Sequence, residues 1–159
     1  MAIFLVFLTF AGTGGLFYYV LNVEHDPAIW HVDPLSEPQS VKPNSFRMAP
    51  PALTEEFVDS PSPVYTVNPT LMAKAFDDFV LSQSKTLRIA GSPDEGWMTY
   101  VQLSPSLNLP DYISVKFIDL NGGKSTVVVY SRSRFGYDDM GVNGERVMSW
   151  VGTLRSFEQ

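Results

Sequence analysis

The hydrophobic pattern divides the chain into three unlike stretches. Residues 2–21 hold no charged side chain and no polar periodicity. As a helix rising about 1.5 Å per residue this run would be about 30 Å long, the hydrocarbon thickness of a bilayer, and it predicts a single membrane span. Between Val23 and Pro69 the apolar positions are scattered among nine of the chain's twelve prolines. Proline fixes φ and removes a backbone donor, so this stretch predicts an extended arm with no long helix and no central strand, and its large apolar residues place it on a surface, its own domain's or a partner's. Beyond residue 57 the pattern becomes regular. Asn68-Pro69 reads as an N-cap and first helical residue, with Leu71, Ala75, Phe76, Phe79 and Val80 on one helical face. Strands are predicted over 86–90, 97–103, 112–119 and 125–133. Asn121-Gly122-Gly123 supplies residues tolerant of positive φ for the last hairpin. A final helix over 143–156 carries the stripe Val147, Trp150, Val151 and Leu154. The order α-β-β-β-β-α predicts an α+β domain, a four-stranded antiparallel meander with two helices on one face. The expected organisation is an anchor (1–23), a proline-rich arm (24–56) and a folded domain (57–159).

The flanks of the apolar run set its expected fate. No Lys or Arg precedes it and no small-x-small cleavage site follows it, so it reads as a retained anchor rather than a cleaved signal peptide. The first basic residue after the run is Lys42, preceded by Glu24, Asp26, Asp33 and Glu37. Without a positive flank to hold it inside, the following domain is expected outside, periplasmic in a bacterium, on a single-pass inner-membrane protein. The net charge of −6 argues against a nucleic-acid partner, and the absence of Cys excludes disulfides and thiolate metal sites.

Candidate chemistry concentrates between Ser131 and Asn143. Arg132 and Arg134 are two apart on a strand and share a face. Asp138 and Asp139 sit in a Gly-bracketed turn, and Asn143 is placed to cap the last helix. Two guanidinium forks beside a helix start suit a carboxylate, phosphate or peptide. The same residues equally suit a structural corner in which an arginine pairs with Asp138, Asp139 or Asp111. His25 and His31 match no metal-ligand spacing, Gly123-Lys124-Ser125 lacks the rest of a P-loop, and no cofactor motif is present. The adjacent carboxylates Asp94-Glu95 and Asp138-Asp139 leave a hydrolase as the least favoured expectation.

The run Ser131-Arg132-Ser133-Arg134-Phe135-Gly136-Tyr137-Asp138-Asp139-Met140-Gly141-Val142-Asn143 resembles the S-R-S-R-x-G-x-x-D-x-G-x-N signature of a bacterial family, domain of unknown function 1499. Gly91-Ser92-Pro93, the Trp97 strand and Pro110-Asp111-Tyr112 share the resemblance. Asp33-Pro34 in the arm resembles its membrane-anchored proteobacterial members. The resemblance implies no reaction. The expected function is therefore a non-catalytic accessory subunit, in contact with lipid through residues 2–21. It would dock on a larger inner-membrane complex, such as a respiratory, energy-transducing one, through an arm displaying Trp30, Phe46, Met48 and Leu53. The alternative is a domain binding a small anion or lipid headgroup at Arg132 and Arg134.

Overall fold

Asp26 caps a one-turn helix α1 (Pro27–Trp30), its carboxylate accepting from the Ala28 amide at 2.9 Å. The computed structural model describes residue 15, residues 18–20 and residues 22–157. The predicted span over 2–21 lies almost wholly outside the described residues, and among these no helix is long and apolar enough to cross a membrane.

After α1 come β1 (Ser45–Ala49), β2 (Ser60–Pro61), β3 (Val64–Tyr65), α2 (Pro69–Leu81), β4 (Thr86–Ser92), β5 (Trp97–Leu103), β6 (Pro110–Asn121), β7 (Lys124–Ser133) and α3 (Val142–Gly152), with short 3-10 turns at Pro51–Leu53 and Thr153–Phe157. The fold is α+β, with one large sheet and few helices. β4 to β7 form the expected antiparallel meander, closed at β6–β7 by Asn121, Gly122 and Gly123, all at positive φ. The sheet has seven strands rather than four, in the order β2-β1-β7-β6-β5-β4 with β3 also on β7. The additional strands lie before α2, and β1, from inside the proline-rich stretch, is not an edge: β7 flanks it on one side and β2 on the other. Pro43 and Pro50 bracket β1 without entering it, so its ladder keeps every donor it needs.

The two longer helices cover one face. Met72, Ala73, Phe76 and Val80 of α2 and Val147, Trp150 and Val151 of α3 pack on Met98, Tyr100, Ile113, Val115, Phe117, Val127 and Val129. The buried stripe of α2 is rotated from the predicted one, because Leu71 and Ala75 point outward while Met72 and Ala73 are buried. Phe46 and Met48 of β1 extend the same core. A Cβ on Gly144 would lie 3.1 Å from the Phe46 ring, so a glycine lets α3 approach β1 this closely.

The other face of the sheet is polar and aromatic: Trp97, Thr99, Tyr112, Ser114, Lys116, Tyr130, Arg132 and Arg47. The arm lies across it. His31 stacks on Trp97 with ring centroids 4.1 Å apart, and Trp30 stacks on Tyr112 at 3.7 Å and 7°. The molecule thus has three layers, helices, sheet and arm, and the arm is the third layer. Near the end of β4, Gly91 pairs with Met98 at a φ of +73°, and an added Cβ there would fall 1.9 Å from the Trp97 carbonyl oxygen. Gly91→Ala is expected to destabilise the protein by about 2–4 kcal/mol, read as a lowered urea midpoint. Gly122→Ala, in open space, is expected to cost less.

Candidate functional site

The signature run works on both faces of the sheet. Because strand residues alternate, Ser131 and Ser133 face α3 while Arg132 and Arg134 face the arm. On the helix side, Asn143 Nδ2 donates to Ser133 Oγ, the Asn44 carbonyl and Asp139 Oδ2, while its Oδ1 accepts from Ser131 Oγ and Arg146 Nη1. Asn143 is fully buried inside α3 rather than ahead of it. The capping carboxylate belongs to Asp139, which accepts from the Gly141 and Asn143 amides at 3.0 and 2.8 Å. Asp138 closes an adjacent turn on the Met140 amide at 2.7 Å. Both carboxylates are thus engaged with backbone amides, and neither pairs with an arginine. Asp94 pairs with Lys74 at the opposite end of the sheet.

The buried ion pair at this corner is Arg146–Asp111, at 2.6 Å. Arg146 also donates from Nε to Gln102 at 2.7 Å and from Nη1 to Ser131 at 3.1 Å. Asp111 therefore serves Arg146 rather than Arg132 or Arg134. The sequence carried one signal for Arg146: it lies four residues before Trp150, on the stripe that faces the core. Beside it opens a groove of about 560 Å³ between the end of α2, the β5–β6 loop and α3, bordered by Lys85, Pro105, Val142 and Trp150. The groove's cations are engaged: Arg146 as above, and Lys85 with the Ser104 and Pro105 carbonyls and Asn108 Oδ1.

On the arm side the two signature arginines hold the arm. Arg132 is buried between the rings of Trp30 and Tyr130, its guanidinium carbon 5.2 Å from each centroid. Burial lowers its pKa from the usual arginine value. Arg134 Nη1 donates to the Glu24 carbonyl at 2.9 Å and to the Tyr112 hydroxyl at 3.2 Å. Burial pulls the Arg134 guanidinium down, but hydrogen bonds with Tyr112 and Tyr19 outweigh that and leave it raised. A small anion at these forks would have to displace the arm's own carbonyls and the Trp30 ring.

Further contacts fasten the arm along its length. The Lys116 ammonium meets Asp33 Oδ2 at 2.6 Å. Burial pushes the Asp33 carboxyl up, yet hydrogen bonds from Lys116 and the Leu35 amide hold it below the ordinary value. The Tyr130 hydroxyl accepts from the Ser40 amide and donates to the Pro38 carbonyl. Arg47, fully buried on β1, donates to the carbonyls of Pro34, Glu37 and Phe57 and lies 4.4 Å over the Tyr130 ring. Among the four arm residues expected to meet a partner, Trp30, Phe46 and Met48 are thus engaged with the chain's own sheet and core. Leu53 is the one left exposed.

His25 and His31 are not brought together as ligands, and among the described residues no group of three His, Cys, Asp or Glu could hold a metal ion. His31 Nδ1 is 2.8 Å from Thr99 Oγ1, and His25 Nδ1 is 2.8 Å from the Tyr112 hydroxyl. The Tyr112 hydroxyl thus accepts from Arg134 and shares a hydrogen bond with His25 Nδ1. Burial first, and the Arg134 charge second, hold His25 below the ordinary imidazole value of 6.5. Burial lowers His31 as well, with Glu95 opposing. The unfolded chain therefore takes up these protons first as pH falls. Stability is full above about pH 6.5 and declines as pH drops through 6.5 toward the lower folded values. The melting temperature is expected to fall between pH 7.5 and 5.5, and His25→Gln, which keeps an acceptor but cannot titrate, should flatten that slope.

The family model described as "Protein of unknown function (DUF1499)" matches residues 37–154, most of the chain. No curated protein and no solved structure matched it.

Proposed function

We propose, from the premise that the chain belongs to the DUF1499 family of proteins of unknown function, that it is a membrane-anchored accessory module without catalytic activity. It would be held by the apolar run 2–21, with its domain on the periplasmic side of a bacterial inner membrane and docked on a larger membrane complex. One observation carries this reading: the polar face of the sheet, where cations and aromatics would otherwise form a site, is covered by the chain's own arm from Glu24 to Ser40. Asp138 and Asp139 are engaged by backbone amides, Asp94 by Lys74 and Asp111 by Arg146. The uncharged run and its acidic flank support the anchor and its orientation.

Docking then falls to the segment between β1 and β2, where Leu53 and Phe57 are exposed. Full-length protein tagged at its C-terminus, extracted in a mild detergent and separated under native conditions, should co-migrate in fixed ratio with one large complex. Leu53→Glu with Phe57→Glu should release it without lowering its melting temperature. Migration as a free monomer would overturn the docking assignment.

A further inference from the structure

One end of the sheet gathers exposed apolar side chains, and the apolar run enters at that same end. The ladder pairs Thr86 with Gln102, Leu103 with Pro110, Asp111 with Ser133 and Arg132 with Ser45. The segment before β1, the β5–β6 loop and the β7–α3 loop therefore share one end. Their tips carry Val41, Leu107, Tyr137 and Met140, which are 98, 49, 71 and 86 % exposed. The hairpin turns at the opposite end, 93–96 and 121–124, carry Asp94, Glu95, Asn121 and Lys124 and no large apolar side chain.

The tips are held out rather than left loose. Lys85 pins the 104–108 loop through two carbonyls and Asn108. Asp138 and Asp139 tie down the amides of residues 140, 141 and 143, leaving Met140 at φ 54° with its side chain outward. Lys42 and Asn44 both donate to the Gly136 carbonyl, joining the 41 and 137 tips.

The chain's entry point fixes what lies against them. Arg134 Nη1 holds the Glu24 carbonyl at 2.9 Å. Only Asn22 and Val23 separate Glu24 from the end of the apolar run, a reach of at most about 10 Å. We infer that this end of the domain is a membrane-contacting surface, with Val41, Leu107, Tyr137 and Met140 inserted into the interfacial layer of the bilayer that holds the anchor. The inference rests on the reading of residues 2–21 as the span. Lys42, Lys85 and Arg134 share this end with Asp138, Asp139 and Glu145, so contact is by apolar insertion and does not require anionic lipid.

The chain has no Cys, so single substitutions give unique labels. Leu107→Cys, Met140→Cys, Asp94→Cys, Lys124→Cys and Leu8→Cys, each in the full chain and labelled with a fluorophore, would be reconstituted in phosphatidylcholine vesicles containing brominated lipid. The inference expects labels at 107 and 140 to be quenched several-fold more than those at 94 and 124, with 8 quenched most. Quenching at 8 but not at 107 or 140 overturns the surface and leaves the span standing. Quenching at 107 and 140 but not at 8 supports the surface and overturns the span. Equal aqueous accessibility at all five positions overturns both. Unchanged melting temperatures in the exposed-site variants show that the labels report position, not unfolding.

Discussion

Asp111→Ala is expected to lower the unfolding free energy by about 3–5 kcal/mol. Arg146 and Asp111 are nearly buried, with side chains 7 and 10 % exposed, and they meet at 2.6 Å. Removing the carboxylate leaves a guanidinium enclosed by Gln102, Ser131 and Asn143, which offer it dipoles but no charge. The cost comes from the stranded charge more than from any intrinsic worth of the pair. Asp111→Ala combined with Arg146→Met should therefore be less destabilised than Asp111→Ala alone, a non-additive result that urea unfolding of the full chain in detergent would read directly.

Arg47→Ala is expected to cost a similar amount, about 3–5 kcal/mol, with its damage in a different place. One planar fork satisfies the carbonyls of Pro34, Glu37 and Phe57, and Glu56 lies 3.8 Å away. Truncation orphans three carbonyls at once and opens a cavity under the arm. Arg47→Lys should rescue little, because one ammonium on a flexible stem cannot reach three carbonyls arranged around a guanidinium. Urea unfolding should show the loss of stability, and limited proteolysis should show cleavage between residues 24 and 44 before the meander is cut.

Both predictions concern residues whose importance the sequence only half disclosed. The meander was legible because β5 and β6 alternate and the last hairpin carries Asn-Gly-Gly. The helix start at Asn68 was legible because its side-chain oxygen caps the Thr70 amide at 2.8 Å, as the Asn-Pro pair predicts. The arm was half read: its seat on a surface was expected, the strand β1 inside it was not, and the reason is physical. Proline density argues against long regular elements, and it correctly excludes a long helix. It does not exclude a five-residue strand between prolines, nor a layer held by side chains to backbone carbonyls rather than by a ladder. Such a layer has no sequence period. Its fastenings, Arg47 to Pro34, Arg132 to Trp30 and Lys116 to Asp33, join residues 13, 102 and 83 apart. The signature run carries a dense network of side-chain hydrogen bonds. Its alternation predicted that the serines and arginines face opposite ways. What lies on each side, α3 on one and the arm on the other, is set by tertiary packing that no local pattern encodes.

The most direct test of this account is hydrogen–deuterium exchange of the full chain in lipid nanodiscs, read by mass spectrometry on peptides covering residues 24–44 and 86–133. If the arm is a layer of the domain, the arm peptides exchange far more slowly than an unstructured chain and lose that protection in Arg47→Ala. If the arm peptides exchange at the unstructured rate while the meander stays protected, the arm is not seated on its own sheet and the account is wrong at its centre.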